Sequence, residues 1–483
     1  MYDVDVNRTK VAKSFFWKIL ERIFAQGVGF LVQIVLARIL LPEDFGSLAI
    51  IVAITGYALV FVSSGITTTV IQREELDKED LSTLMTYTLF AGVFFYLLLF
   101  LSAPFVASYY DAPVLKPTLR VFAISLILQG VNSVQTGILQ RQMRFKQLFL
   151  RTLIATPIAG FVGISMALGG MGVWALVAYN LTNILAVIII MSFDRDCRIP
   201  IGFSLNKMKQ IFPFTSKIMF TYAICGLFDL IRTSIIGKRF SREDLAYYDK
   251  GLSYSSYVTM LINQSMGSVL LPTFSRSQED MEALRGMARR SVRLTSFVII
   301  PILVAVVVMA KPLVLLLLTE KWLPCVSFLI IYCFLRIPGP ILNIDKQVFY
   351  ALGKSNVNLY YEIGLFVFNF IALFVAVRIS VLAIAIGAFI VELLGCLAIF
   401  VISSRVYGYS LLNRLSDMWK PLLCSTVMAL VMIWVSTLDF SVIVLVFVQA
   451  ILGIIVYILM GRLIKDDNLI YCLSIIKDVL SKK

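Results

Sequence analysis

The chain contains no histidine among its 483 residues. Imidazole is the side chain that ordinarily titrates near neutral pH and the commonest metal ligand. Histidine-based acid–base catalysis and histidine-containing metal sites are therefore excluded together. Cysteine is sparse: seven residues are scattered along the chain, with no CxxC pair. Most of them fall inside apolar runs, where a thiol behaves as a small hydrophobe. No metal site and no cofactor is expected. Charge is scarce as well, at 15% of residues against 59% hydrophobic, with mean hydropathy +0.90. A soluble domain is nearer half apolar and about a quarter charged. No large solvated face can be built from this composition.

What is present in abundance is long apolar runs. We read about fourteen: 15–40, 45–70, 84–108, 118–139, 149–168, 173–193, 214–236, 252–274, 294–318, 326–352, 361–377, 381–403, 421–435 and 442–461. About twenty helical residues cross a hydrocarbon core of ~30 Å. The runs do not alternate as barrel strands do, so they are helices. The amino-terminal stretch MYDVDVNRTKVAKSFFWK is basic, but the apolar run after it is too long for a signal peptide and no small-residue cleavage site follows. It is expected to be a retained first helix. The fold class is an all-α integral membrane protein.

The formal charge of +14 is distributed by loop. Even-numbered connections carry most of the arginine and lysine, for example Arg141, Arg144, Lys146 and Arg151, or Arg285, Arg289, Arg290 and Arg293. Odd-numbered connections are short and mostly poor in basic residues. The positive-inside bias then puts both termini in the cytoplasm. One loop disagrees: residues 237–250 should lie outside yet contain Lys238, Arg239, Arg242 and Lys250. Either this is an outward basic rim able to meet an anionic substrate, or it is an exception to a statistical rule.

The same loop takes part in a repeat. ARILLPEDFGSLAI at 37–50 is written again, loosely, as GKRFSREDLAYYDK at 237–250. SAPFVASYYDAPVLKP at 102–117 falls near AKPLVLLLLTEKWLP at 310–324, and MGVWALV at 171–177 near SVLAIAI at 380–386. Helix order is kept, and turns and prolines agree as well as apolar residues. Six helices followed by six similar ones, each set an even number of crossings, make a parallel repeat. The expected organisation is an N-lobe at 1–200, a C-lobe at 201–410, and two further helices with a tail at 411–483.

Two such lobes suggest a solute path, which polar residues within helices should mark, because burying them in a bilayer is costly. Arg22, Gln26, Gly29 and Gln33 form one stripe on the first helix, and Gln129, Asn132, Thr136 and Gln140 another on the fourth. Asp229 and Arg232 on the seventh are spaced as an intrahelical pair. The tenth is richest: Arg336, Asn343 and Lys346 share a face, with Asp345 beside them, and RIPGP at 336–340 should kink it. Glu392 lies near the middle of the twelfth. Many amides and hydroxyls in such places only hold helices together. Arg232, Arg336 and Lys346 are harder to dismiss, since a mid-membrane Arg costs at least ~2.5 kcal/mol. Arg22 lies near enough to the helix end to snorkel. The candidate substrate-binding residues are thus Arg336, Lys346, Arg232, Asn343, Arg22 and Gln33. The candidates for ion coupling are Asp229, Asp345 and Glu392, against the alternative that they only form salt bridges.

ARILLPEDFGSLAI, SSGITTTVIQRE and ILQRQMRFKQL in the first lobe, with IGKRF, LAYYDKGLSY and VLLPTFSR in the second, carry a resemblance. The chain resembles the polysaccharide-transporter branch of the multidrug/oligosaccharidyl-lipid/polysaccharide exporter superfamily, and within it bacterial O-antigen and exopolysaccharide repeat-unit flippases. The resemblance covers most of the chain, to about residue 403. It implies two six-helix bundles opening alternately around a central cavity, and a polyprenyl-diphosphate-linked oligosaccharide carried across the inner membrane. The related peptidoglycan-precursor flippases have an Arg-Asp pair in their first helix. Val32-Gln33 stands at the comparable place here, so that pair is not transferred. The last two helices resemble an addition in those flippases where a groove is thought to hold the lipid tail. The implied partners are the lipid-linked oligosaccharide and the bilayer, with a polysaccharide polymerase and chain-length regulator in the same pathway; nucleic acid is not among them. Physics favours the same substrate class, since arginine suits phosphate through its forked donors. A cation-coupled drug exporter on the same scaffold would favour acidic cavity residues. A glycan polymerase or ligase would need a sizeable outward loop, and the outward loops are short. A purely structural membrane protein would leave Arg336 without a purpose.

Overall fold

The computed structural model describes residues 26–73 and 76–469, without the side chains of 261–269 and 272. The described residues are helical, with no strand among them. The elements are α1 (Gln26–Ile39), α2 (Pro42–Ser63), α3 (Ile66–Gln72), α4 (Lys78–Tyr109), α5 (Leu115–Phe122), α6 (Ile124–Arg141), α7 (Phe145–Leu168), α8 (Val173–Ser192), α9 (Leu205–Arg239) and α10 (Arg242–Ser275). They continue with α11 (Met281–Val308), α12 (Ala310–Leu317), α13 (Cys325–Arg336), α14 (Pro338–Ala351), α15 (Ser355–Ala376), α16 (Val381–Tyr407), α17 (Leu411–Val435) and α18 (Val442–Leu463). Among the described residues, twelve helical stretches are long and apolar enough to cross a membrane. Two of the fourteen expected runs are not in that set. The first run is described only from residue 26, and the run at 252–274 falls within the 34-residue α10.

Several expected runs are interrupted where the local chemistry demands it. The run at 45–70 breaks at Gly65, whose φ of +83° lies in the left-handed region and ends α2 before α3 begins. The run at 294–318 stops at Val308. Pro312 has no N–H to donate to the Val308 carbonyl and would clash with it, so the chain restarts as the short α12. The predicted kink in the tenth run is a break: α13 ends at Arg336, Ile337 is the joint, and Pro338 opens α14 at its first turn, where a missing N–H does no harm.

The chain divides into two compact units, Met1–Ala246 and Tyr247–Lys483, with the boundary inside α10. In the first, α7 and α8 pack as a hairpin, α4 lies against α6, and α9 lies against α2. In the second, α11 packs on α17, α17 on α18, and α15 on α16. One core of the second unit gathers Phe274, Ile344, Phe349, Ile399 and Tyr409. Another gathers Phe297, Met428, Met432 and Tyr457 around α11, α17 and α18. Gln449 is fully buried there. It donates to the Met432 carbonyl at 2.9 Å and the Ser436 hydroxyl at 2.7 Å, fastening α18 to α17.

The repeated corner has a local cause. Asp44 accepts the Leu41 N–H at 3.2 Å, and Asp244 accepts the Ser241 N–H at 3.3 Å while its own N–H donates to Ser241 Oγ at 2.9 Å. In both copies the aspartate of Glu-Asp closes the first turn of a helix. The two corners also meet. Arg242 forms an ion pair with Glu43 and donates to Ser47 Oγ at 3.2 Å. A Cβ at Gly46 would lie 1.8 Å from the Arg242 carbonyl oxygen, so no other residue fits at 46 without moving the chain. Arg242, Lys238 and Lys250 of the basic stretch 237–250 are accordingly occupied. Lys238 pairs with Asp111 at 2.8 Å, and Lys250 is buried with its ammonium 5.6 Å from the Tyr254 ring centroid and 5.8 Å from that of Trp322.

Candidate functional site

The proline break sets the place of one candidate cation. Arg336, the last residue of α13, is half-buried and donates from Nη2 to Ser256 Oγ on α10 at 2.8 Å. Beyond Ile337, α14 turns Asn343, Lys346 and Gln347 to one half-buried face, with Gln347 Nε2 donating to Asn343 Oδ1 at 3.3 Å. Lys346 Nζ sits 2.5 Å from Glu362 Oε1 on α15 and 5.3 Å from the centroid of the Tyr361 ring. Asn358 fixes this edge of α15 by donating to the Lys346 carbonyl at 3.1 Å. Glu392 lies half-buried on α16. Arg336, Lys346, Glu362 and Glu392 thus put two cations and two carboxylates on α13–α16, with Lys346 and Glu362 in direct contact. Such a set can hold a polyanion when the carboxylates yield, and can release it when they return to their partners.

Asp345 is placed elsewhere. It is fully buried on a different face of α14 from Lys346 and binds Arg414 of α17 through both oxygens, at 2.9 and 2.5 Å. It also accepts from Ser403 Oγ at 2.8 Å and Tyr407 Oη at 2.5 Å. Arg414 is sandwiched by aromatic rings, 4.4 Å from the Phe400 centroid and 4.1 Å from that of Tyr409. Asp345 thus follows the salt-bridge alternative, with Arg414 and not the adjacent Lys346 as its partner, because one residue along a helix is a turn of about 100°, which carries Asp345 into the core.

In the first unit, Arg232 and Asp229 form the intrahelical pair their spacing predicts, at 2.8 Å, with Arg232 also 5.6 Å from the Phe228 ring. Gln33 is half-buried on α1. Arg22 lies outside the described residues. The stripe on α6 is met by a residue counted with the loops: Arg151, two turns into α7, donates to Asn132 Oδ1 at 3.2 Å and Thr136 Oγ1 at 3.1 Å. Part of that stripe therefore joins helices. The residues missed in the sequence are Arg414, Glu362 and Arg151. Glu362 had a signal, a carboxylate inside an apolar run; Arg414 had none, because its partner is 69 positions away.

A family model described as "polysaccharide biosynthesis protein" matches residues 35–327. Among curated proteins, the chain is 22% identical over 393 residues to the teichuronic acid biosynthesis protein TuaB of Bacillus subtilis, covering 79% of this chain and 80% of the relative. It is 22% identical over 317 residues to the succinoglycan biosynthesis transport protein ExoT of Rhizobium meliloti, covering 66% of this chain and 64% of the relative. Among solved structures, the lipid II flippase MurJ in an inward closed conformation superposes with a TM-score of 0.77 at 13% identity, over 94% of this chain and 99% of that one. At that identity the likeness is one of fold.

Proposed function

The chain belongs to the polysaccharide biosynthesis protein family, and on that premise we propose that this multi-pass membrane protein is a flippase for polyprenyl-diphosphate-linked oligosaccharides. The repeat units serve O-antigen, capsule or exopolysaccharide synthesis across a bacterial inner membrane. The observation that carries this reading is the half-buried Arg336 at the α13–α14 break, followed along α14 by Asn343 and Lys346. A diphosphate needs cationic, forked donors to leave water, whereas its polyprenyl chain can stay in lipid. Head group and cations meet at Lys346 first and Arg336 deeper, with Glu362 and Glu392 as the carboxylates displaced on binding. Arg232, Gln33 and Arg22 belong to the same proposal as contributors from the first unit. The division by repeat, 1–200 and 201–410 with 411–483 appended, is kept as a proposal beside the division by contact. The protein is read as a transporter, not a catalyst, working beside a polymerase and a chain-length regulator. Reconstituted protein should move a lipid-linked oligosaccharide and fail to expel cationic dyes; the reverse result would favour the drug-exporter reading.

Glu362 and Glu392 bear on coupling. We assign Glu392 as the proton-responsive group and Asp345 and Asp229 as structural partners of Arg414 and Arg232. Glu392→Gln should then transport at a rate that no longer responds to an imposed pH gradient. A variant that follows the gradient as the parent does would remove Glu392 from that role.

Orientation is part of the same proposal: both termini lie in the cytoplasm. A cysteine placed at Asp111 should react with an impermeant reagent from outside, and one placed at Lys146 should not. The native background from the described cysteines is low. Of the described cysteines only Cys225 is exposed, and burial pushes the Cys197 thiol up to about 11, so little of it is the reactive thiolate near neutral pH. The opposite labelling pattern would invert the topology.

A further inference from the structure

Between α15 and α16 runs an apolar groove of 490 Å³, walled by Tyr361, Gly364 and Phe368 on one helix and Leu394, Gly395 and Ile402 on the other. Two glycines make its depth. A Cβ at Gly364 would meet nothing within 4 Å, so the space above it is open. A Cβ at Gly395 would press to 2.6 Å from Leu365 Cδ2 and 3.1 Å from the Tyr361 hydroxyl. The groove extends along α15 from Val357 to Phe368, about 16 Å at the helical rise of 1.5 Å per residue. That is close to half of a hydrocarbon core of ~30 Å. In the orientation proposed above it occupies the cytoplasmic half, where a lipid-linked precursor would enter.

Tyr361 joins this groove to the charged cluster. Its ring is groove wall, and the same ring carries the Lys346 ammonium at 5.3 Å. The residue is only 7% exposed, yet its hydroxyl has no hydrogen-bond partner among the described residues. A buried phenol without a partner costs free energy that a ligand oxygen would recover. An apolar slot about one lipid leaflet long, with an unsatisfied donor and a lysine one helical turn from its Val357 end, is complementary to a hydrocarbon chain with a phosphate at its head.

We propose that the α15–α16 groove holds the isoprenoid chain of the carrier lipid while its diphosphate is met by the Tyr361 hydroxyl and Lys346. The identity of the chain rests on the flippase reading. The groove itself does not, and it lies apart from α17 and α18, where the resemblance placed the lipid tail.

The test uses the full chain in proteoliposomes and a polyprenyl diphosphate bearing a diazirine in the isoprene units next to the head group. Photolabelled peptides should come from 361–368 and 391–402, several-fold above those from α17, which also presents exposed apolar side chains such as Leu430. Unlabelled polyprenyl diphosphate should compete, and phosphatidate should not. Gly364→Leu should lower groove labelling by about fivefold, the effect of losing one or two buried methylenes, and leave α17 labelling unchanged. Gly364→Ala should stay near the parent. Even labelling of all lipid-facing helices, equal competition by phosphatidate, or parent-level labelling of Gly364→Leu would each overturn the proposal. If Gly364→Leu loses α17 labelling too, its fold is damaged and the competition experiment on the parent decides. Groove-confined, competed labelling in a protein that moves no lipid-linked sugar would sink the transport reading and leave the groove standing. Transport with no groove labelling would do the reverse.

Discussion

Replacing Asp345 with alanine while Arg414 remains is expected to destabilise the protein by about 3–5 kcal/mol, because it strands a buried guanidinium. Arg414 has 1% of its side chain exposed and Asp345 none, so neither can recover water by a small movement. The carboxylate also receives the Ser403 and Tyr407 hydroxyls, which would lose their acceptor in the same step. Arg414→Ala should cost a similar amount. The double variant Asp345→Leu/Arg414→Met should recover most of the loss, because an apolar pair of similar volume leaves no charge behind. Thermal unfolding of the purified protein in detergent measures all three. Single variants as stable as the parent, yet without transport, would make Asp345 part of the transport site and not of the scaffold.

Arg336→Ala is expected to lower flux of the lipid-linked oligosaccharide by about ten- to a hundredfold, the worth of a hydrogen bond to a charged group. Membrane insertion should be normal. The Ser256 hydroxyl that loses this donor is uncharged and half-buried. Arg336→Lys should keep part of the flux, because charge survives while the forked geometry does not. Arg336→Glu should fall at least as low as alanine. The measurement is translocation into proteoliposomes, with the amount of inserted protein determined in parallel. Parent-level transport by Arg336→Ala would remove Arg336 from the proposed binding site.

The sequence and the structure agree where the cause is local. Apolar runs became helices because a bilayer accepts little else. The Glu-Asp corners could be read because the aspartate that starts a helix lies three residues from the group it caps. The break at Ile337 was visible in two prolines, and the Asp229–Arg232 pair in its own spacing. What could not be read depends on contacts between distant segments. Nothing near Asp345 points to Arg414, and a one-residue step decides whether a side chain faces the core or Lys346. The run at 294–318 looked continuous because leucine and valine outnumber its two prolines, Pro301 and Pro312, of which only the second divides it. The α15–α16 groove is made of ordinary apolar residues and two glycines, and becomes a groove only when the two helices lie together.

The corner pairing described above also limits how this chain can be rebuilt. At an offset of two hundred residues, Glu43 matches Glu243 and Asp44 matches Asp244, but Arg242 matches Pro42, and Gly46 matches Ala246. The capping role is therefore shared by both copies, while the contact between them is divided: one copy supplies the acid and the bare backbone, the other the base and the carbonyl. A tandem chain made from two first halves would set a proline where Glu43 needs an arginine, and one made from two second halves would force an alanine methyl group against a peptide oxygen. At this corner the two stretches form a matched pair, and neither can stand in for the other.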